Sequence, residues 1–101
     1  MIPMFEAAML MLADVKYAFE REDTSIARKI FKSDDYLDHI NIEAINNLTE
    51  GMKNDPSKIS DALYIISIIR KLERIGDQLK NIAEEIIFYI EAKVLKHASR
   101  K

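Results

Sequence analysis

The stretch Leu72-Glu73-Arg74-Ile75-Gly76-Asp77-Gln78-Leu79-Lys80-Asn81-Ile82-Ala83-Glu84 decides the fold class. Leu72, Ile75, Gly76, Leu79, Ile82 and Ala83 follow one another at helical spacings, and Ile86 and Ile90 continue the series. Steps of three and four place these residues on one wide apolar arc of an α-helix. Gly76 lies inside that arc, where a missing side chain lets another helix approach closely at a cost of about 1 kcal/mol in helix propensity.

Working outward, two breaks divide the 101-residue chain into three segments. Glu22-Asp23-Thr24-Ser25 supplies a capping side chain, Asp23 or Thr24, for a new helix. Asn54-Asp55-Pro56-Ser57 reads as an N-cap at Asp55 followed by proline in the first helical position. The predicted helices are therefore about 3–21, 24–53 and 56–97, the last expected to overhang or fray after Lys93. In the first, Phe5, Ala8, Met9, Leu12, Val15 and Phe19 recur at helical spacing. Two Gly and two Pro are too few for the turns of a sheet, so the sixteen isoleucines are read as helical despite their modest propensity. Short connections make neighbouring helices antiparallel. The expected fold is all-α, an up-down-up three-helix bundle forming one domain over residues 1–101.

Composition excludes several functions. No cysteine is present, which removes disulfides and thiolate zinc sites. Seventeen acidic against fifteen basic side chains argue against a nucleic-acid binder. The apolar start at Met1–Leu12 carries Glu6 and lacks the flanks of a secretory signal, and the run Ile65–Ile69 is far shorter than a membrane span. A cytoplasmic protein is expected.

On a helical wheel of the second segment, Asp34, Asp38 and Asn41 fall within about 60° of one another, in the middle of the apolar face. Flanking them are Ile26, Ile30, Leu37, Ala44 and Leu48 on one side and Ala27, Phe31, Ile42 and Ile45 on the other. Asp35 and Glu43 point elsewhere and read as solvated charges. A buried carboxylate must be ion-paired, neutralised or bound to a cation. The third segment carries a second pair at the same spacing, Glu73 and Asp77, at the border of its apolar arc with Arg70 and Lys80. Antiparallel packing of the two segments brings four carboxylates onto one surface, an oxygen-only set suited to magnesium, manganese, calcium or iron. Pairing of Glu73 and Asp77 with Arg70, Arg74 or Lys80 is the plainer alternative, worth only about 0.2–0.5 kcal/mol per exposed pair.

The stretch 72–84, continued by Ile86-Ile87-Phe88-Tyr89, resembles the signature helix of the PhoU family, and Asp34 and Asp38 fall where that family carries the other half of its acidic motif. The resemblance covers about residues 3–97. It implies a non-enzymatic regulator of phosphate uptake, working with a phosphate ABC transporter at the membrane and relaying its state to a sensor histidine kinase. It also implies metal binding, by iron, manganese, magnesium or zinc, at Asp34, Asp38, Glu73 and Asp77. The usual member has two tandem bundles. This chain resembles the C-terminal one alone, so exposed apolar surface and self-association, as a dimer, are expected.

Two other functional classes remain. A di-metal bundle enzyme needs Glu-x-x-His pairs; none occurs, and His39 lies off the apolar face. A purely structural module needs only ion-paired acids. His97 is given no role, and the basic end Lys93, Lys96, Arg100 and Lys101 either complements the helix dipole or touches anionic lipid. Met4, Met9, Met11 and Met52 read as packing residues, and Phe88 and Tyr89 as core and interface aromatics. No Gly-rich phosphate loop is present.

Overall fold

A computed structural model describes residues 2–99. Helix α1 runs Ile2–Arg21 and α2 runs Thr24–Asn54; a 3₁₀ turn at Pro56–Lys58 leads into α3, Ile59–Ser99. Both breaks lie where capping chemistry puts them. The Asp23 carboxylate accepts hydrogen bonds from the backbone N–H groups of Ser25 (2.9 Å) and Ile26 (3.3 Å), which satisfies two free donors of α2. Asp55 accepts from the Ser57 N–H at 3.1 Å, and Pro56 opens the 3₁₀ turn before the α-helical ladder begins. Glu22 has a φ of 50°, the left-handed conformation that ends α1 and reverses the chain within two residues.

All three helices pack on one another, each antiparallel to the one before. The far end is held by exposed ion pairs, Arg28–Glu91 at 2.8 Å and Lys93–Glu22 at 2.6 Å. The result is a rod of 69 × 17 × 16 Å. On α2 the buried positions are Ala27, Ile30, Asp34, Leu37 and Asn41, an unbroken series of threes and fours in which two of five members are polar. From α3 come Ile69, Leu72, Leu79, Ala83, Ile86 and Ile87. Gly76 is buried as expected. A Cβ there would meet Asp34 Oδ1 at 2.9 Å and Leu37 Cδ2 at 3.0 Å, so α3 sits against α2 where a side chain has no room.

The core face of α1 is not the expected one. Met4, Ala8, Met11, Val15 and Ala18 are buried, whereas Phe5, Met9, Leu12 and Phe19 are exposed. The helix is turned by roughly a quarter turn from the predicted stripe. Alanines and a valine at the seam let α1 approach closely, which the larger side chains would prevent. Ile42 on α2 and Ile75, Ile82, Phe88 and Tyr89 on α3 are likewise exposed, and Tyr89 lies under the Lys93 ammonium at 5.3 Å. Past Lys93 the expected overhang is seen: the helix continues to Ser99 with Val94 and Leu95 exposed; Arg100 and Lys101 lie outside the described residues.

Candidate functional site

The α2–α3 seam holds the acids. Asp34 is only 2% exposed because it occupies a core position of α2 opposite Gly76. One of its oxygens, Oδ2, lies 3.4 Å from the Lys80 ammonium; the other, Oδ1, is buried without a hydrogen-bond partner. Each carboxylate oxygen has lone pairs to satisfy, so this atom is an open acceptor in the interior.

Asp38, one turn on, is partly exposed. Burial, followed by the charges of Asp34, Asp77 and Glu73, pushes its carboxyl above the ordinary aspartate range, with Lys80 opposing. The other three sequence-predicted acids are therefore all within electrostatic reach of Asp38. They are not equally close. Oxygens of Asp34, Asp35 and Asp38 come within 4.8 Å of each other, whereas Glu73 and Asp77 are not part of that tight group. Asp35 is exposed, as a solvated charge is, and also belongs to this group. Its Cα faces away from the core, but a carboxylate one residue from Asp34 still reaches the same patch.

The ion pairing offered as the plainer alternative does not form as drawn. Among the described residues Glu73 and Asp77 have no basic partner within 4.0 Å, and Lys80 reaches across to Asp34 instead. Its ammonium is held more firmly protonated, first by the Asp34 charge, then by the hydrogen bond to it, with Asp77 and Asp38 adding. His39 is exposed on the far side, 3.5 Å from Glu43, consistent with its exclusion as a ligand. Two further buried polar groups have no partner: both side-chain atoms of Asn41, completely buried one turn beyond Asp38, and Asp14 Oδ2 on α1. Asn41 falls on the apolar face of the wheel, whereas the isolation of Asp14 Oδ2 has no structural explanation.

Chemically, an oxygen-rich patch with one unpaired buried acceptor and a surplus of negative charge suits a hard cation. Asp34, Asp35 and Asp38 supply the near set, with Asp77 and Glu73 across the seam.

The chain matches a known protein family over most of its length. The PhoU domain family matches residues 1–86. A phosphate-specific transport system accessory protein PhoU homolog of Pseudomonas putida is 34% identical over 91 residues, 90% of this chain and 36% of its own length. A PhoU homolog of Thermotoga maritima is 31% identical over 97 residues, covering 96% of this chain and 42% of the relative. The Escherichia coli accessory protein PhoU is 33% identical over 87 residues, 86% and 36% of the two chains. The chain thus spans less than half the length of these relatives. No solved structure matches it significantly. With the match running through both acid-bearing helices and most of the sequence, the chain belongs to the PhoU family.

Proposed function

We propose that this bundle is a metal-binding, non-enzymatic regulatory unit of phosphate uptake. It would modulate a phosphate ABC transporter from the cytoplasmic side and pass the transporter's state to a sensor histidine kinase, and so to the phosphate-starvation response. What supports the transport role is the name its relatives carry, accessory protein of the phosphate-specific transport system. No described helix is long and apolar enough to cross a membrane, so membrane proximity would come through the transporter.

The observation that carries the metal reading is the buried, unpartnered Oδ1 of Asp34. Asp34, Asp38, Asp35 and, across the seam, Glu73 and Asp77 would hold an iron, manganese, magnesium or zinc ion. A bound cation would supply positive charge where Asp34, Asp35 and Asp38 come together, with Glu73 and Asp77 within electrostatic reach of Asp38. The protein's own part is to place those acids on opposed helices, so that the α2–α3 spacing and the exposed surface around Asp38 and Asp77 depend on occupancy. Two copies would associate through apolar side chains left exposed on α1 and α3, among them Phe5, Met9, Leu12, Ile75 and Ile82.

Metal analysis of protein purified without chelator tests the site. The wild type should carry stoichiometric metal and an Asp34→Asn/Asp77→Asn variant should carry at least tenfold less, the loss of two of five charged ligands. Equal content in both removes the site. In cells, the same variant should leave phosphate-starvation genes expressed when phosphate is plentiful.

A further inference from the structure

Lys80 makes a contact that neither ordinary helical pairing nor ligation accounts for. Its helix neighbours at ion-pair spacing include Asp77 and Glu84, yet its ammonium crosses the seam to Asp34 Oδ2 at 3.4 Å. Asp34 is 2% exposed and the Lys80 side chain 36% exposed, so the lysine enters from the solvent edge and its stem stays at the surface. Asp77 and Asp38 also lie within electrostatic reach of that ammonium. It therefore stands at the mouth of the acid patch, on the one buried carboxylate, where an incoming cation would also go.

We propose that Lys80 is a tethered competitor for the metal: its ammonium occupies the acid patch when no ion is bound, and a divalent cation loads only by displacing it. The inference rests on the metal reading above and concerns what sets its threshold. Without a positive charge nearby, Asp34 would be an ionised carboxylate in the core, which is expensive. Lys80 supplies that charge and prevents the empty seam from springing open. A lysine suits this role because its ammonium is a compact charge on a flexible stem, free to swing into water. An arginine would grip the carboxylate with a planar fork and leave less readily. The site is then tuned to bind only when metal is abundant, since every loading event includes the release of an internal cation.

The proposal makes Lys80 act in opposite senses on the empty and loaded states, which a merely structural lysine would not. Titration of metal-free protein with Mn2+, followed by calorimetry, and urea unfolding in chelator together test it. Lys80→Gln should raise Mn2+ affinity roughly tenfold or more, the value of a hydrogen bond to a charged group, while lowering the urea midpoint of the metal-free protein. Lys80→Arg should keep that midpoint and bind Mn2+ no tighter than wild type; this variant preserves the test if Lys80→Gln does not fold without metal. Lys80→Gln binding Mn2+ no better than wild type, while Asp34→Asn abolishes binding, overturns the competitor role and leaves the metal site standing. Lys80→Arg binding more tightly than wild type overturns it as well. Absence of Mn2+ binding in wild type and Lys80→Gln alike overturns both readings together.

Discussion

A carboxyl whose proton is held by burial and by three neighbouring acids costs the fold stability whenever it ionises, and Asp38 is that carboxyl. Its folded-state value is raised above the ordinary 3.8, so the folded protein binds the proton more tightly than the unfolded chain. The stabilisation this provides is complete below 3.8 and is lost as pH rises through the folded value. At neutral pH the metal-free bundle therefore carries an unrelieved repulsion. Asp38→Asn should raise its melting temperature in chelator at neutrality, and the difference from wild type should vanish as the pH falls to about 3. Reporting the difference is essential, because Asp23 works the other way. Hydrogen bonds from Ser25 and Ile26 lower its carboxyl, and the α2 cap weakens in acid as Asp23 takes up a proton. A variant no more stable than wild type at neutrality would mean that Asp38 is not under strain. The same substitution should weaken metal binding, so the residue trades stability of the empty bundle for affinity.

Between elements, the approach of α3 to α2 at Gly76 governs everything in the site. Alanine is the better helix former by about 1 kcal/mol, yet its Cβ would press on Asp34 Oδ1 and Leu37 Cδ2. Overpacking of this kind costs about 1–3 kcal/mol, and both neighbours are buried with little freedom to yield. Gly76→Ala should thus unfold at lower urea, by a net loss of about 1 kcal/mol, and should bind metal less well because Asp34 is displaced. Greater stability would show that the helices are farther apart. This contact was legible in the sequence, since a glycine within an apolar arc has few other uses. The two acid pairs were legible as well, because charge in an apolar stripe breaks the pattern. The core face of α1 was not. Ala8 and Val15 border both its stripes, and the choice between Phe5-Met9-Leu12-Phe19 and Met4-Met11-Ala18 depends on how near the partner helices come. A hydrophobic scale favours the larger set; close packing selects the smaller. Asp35 is exposed as its place on the wheel predicts, but its nearness to Asp34 and Asp38 was not legible, because a wheel records Cα directions and not the reach of side chains.

At the scale of the molecule, the rod has a radius of gyration of 18.1 Å, against about 13 Å for a compact chain of this length. A thin rod cannot cover all its apolar residues. Of those left over, some, such as Leu10 and Tyr36, lie in the α1–α2 groove, but many share one flank. On α3 the acids and Gly76 face α2, which puts Ile68, Ile75 and Ile82 on the opposite flank, towards α1. On α1 the groove against α2 is lined by Pro3, Ala7 and Leu10, so Phe5, Met9 and Leu12 lie on the flank towards α3. The exposed stripes of both helices therefore border one seam, away from the acids. Sedimentation should show association at tens of micromolar, and Met9→Lys/Ile82→Lys should return the protein to a monomer while leaving its helicity intact. A wild type monomeric throughout would leave the face without a partner in itself. The far end of the rod behaves differently. The Glu22–Lys93 pair joins α3 to the end of α1 there, and Val94 and Leu95 beyond it are exposed. A helix end that buries little apolar surface rests mainly on its own backbone ladder, so its turns open more readily than those of the packed bundle. A label attached beyond Lys93, more than three turns from Lys80, should therefore leave the acid seam undisturbed, which makes that tip the natural handle for watching the site.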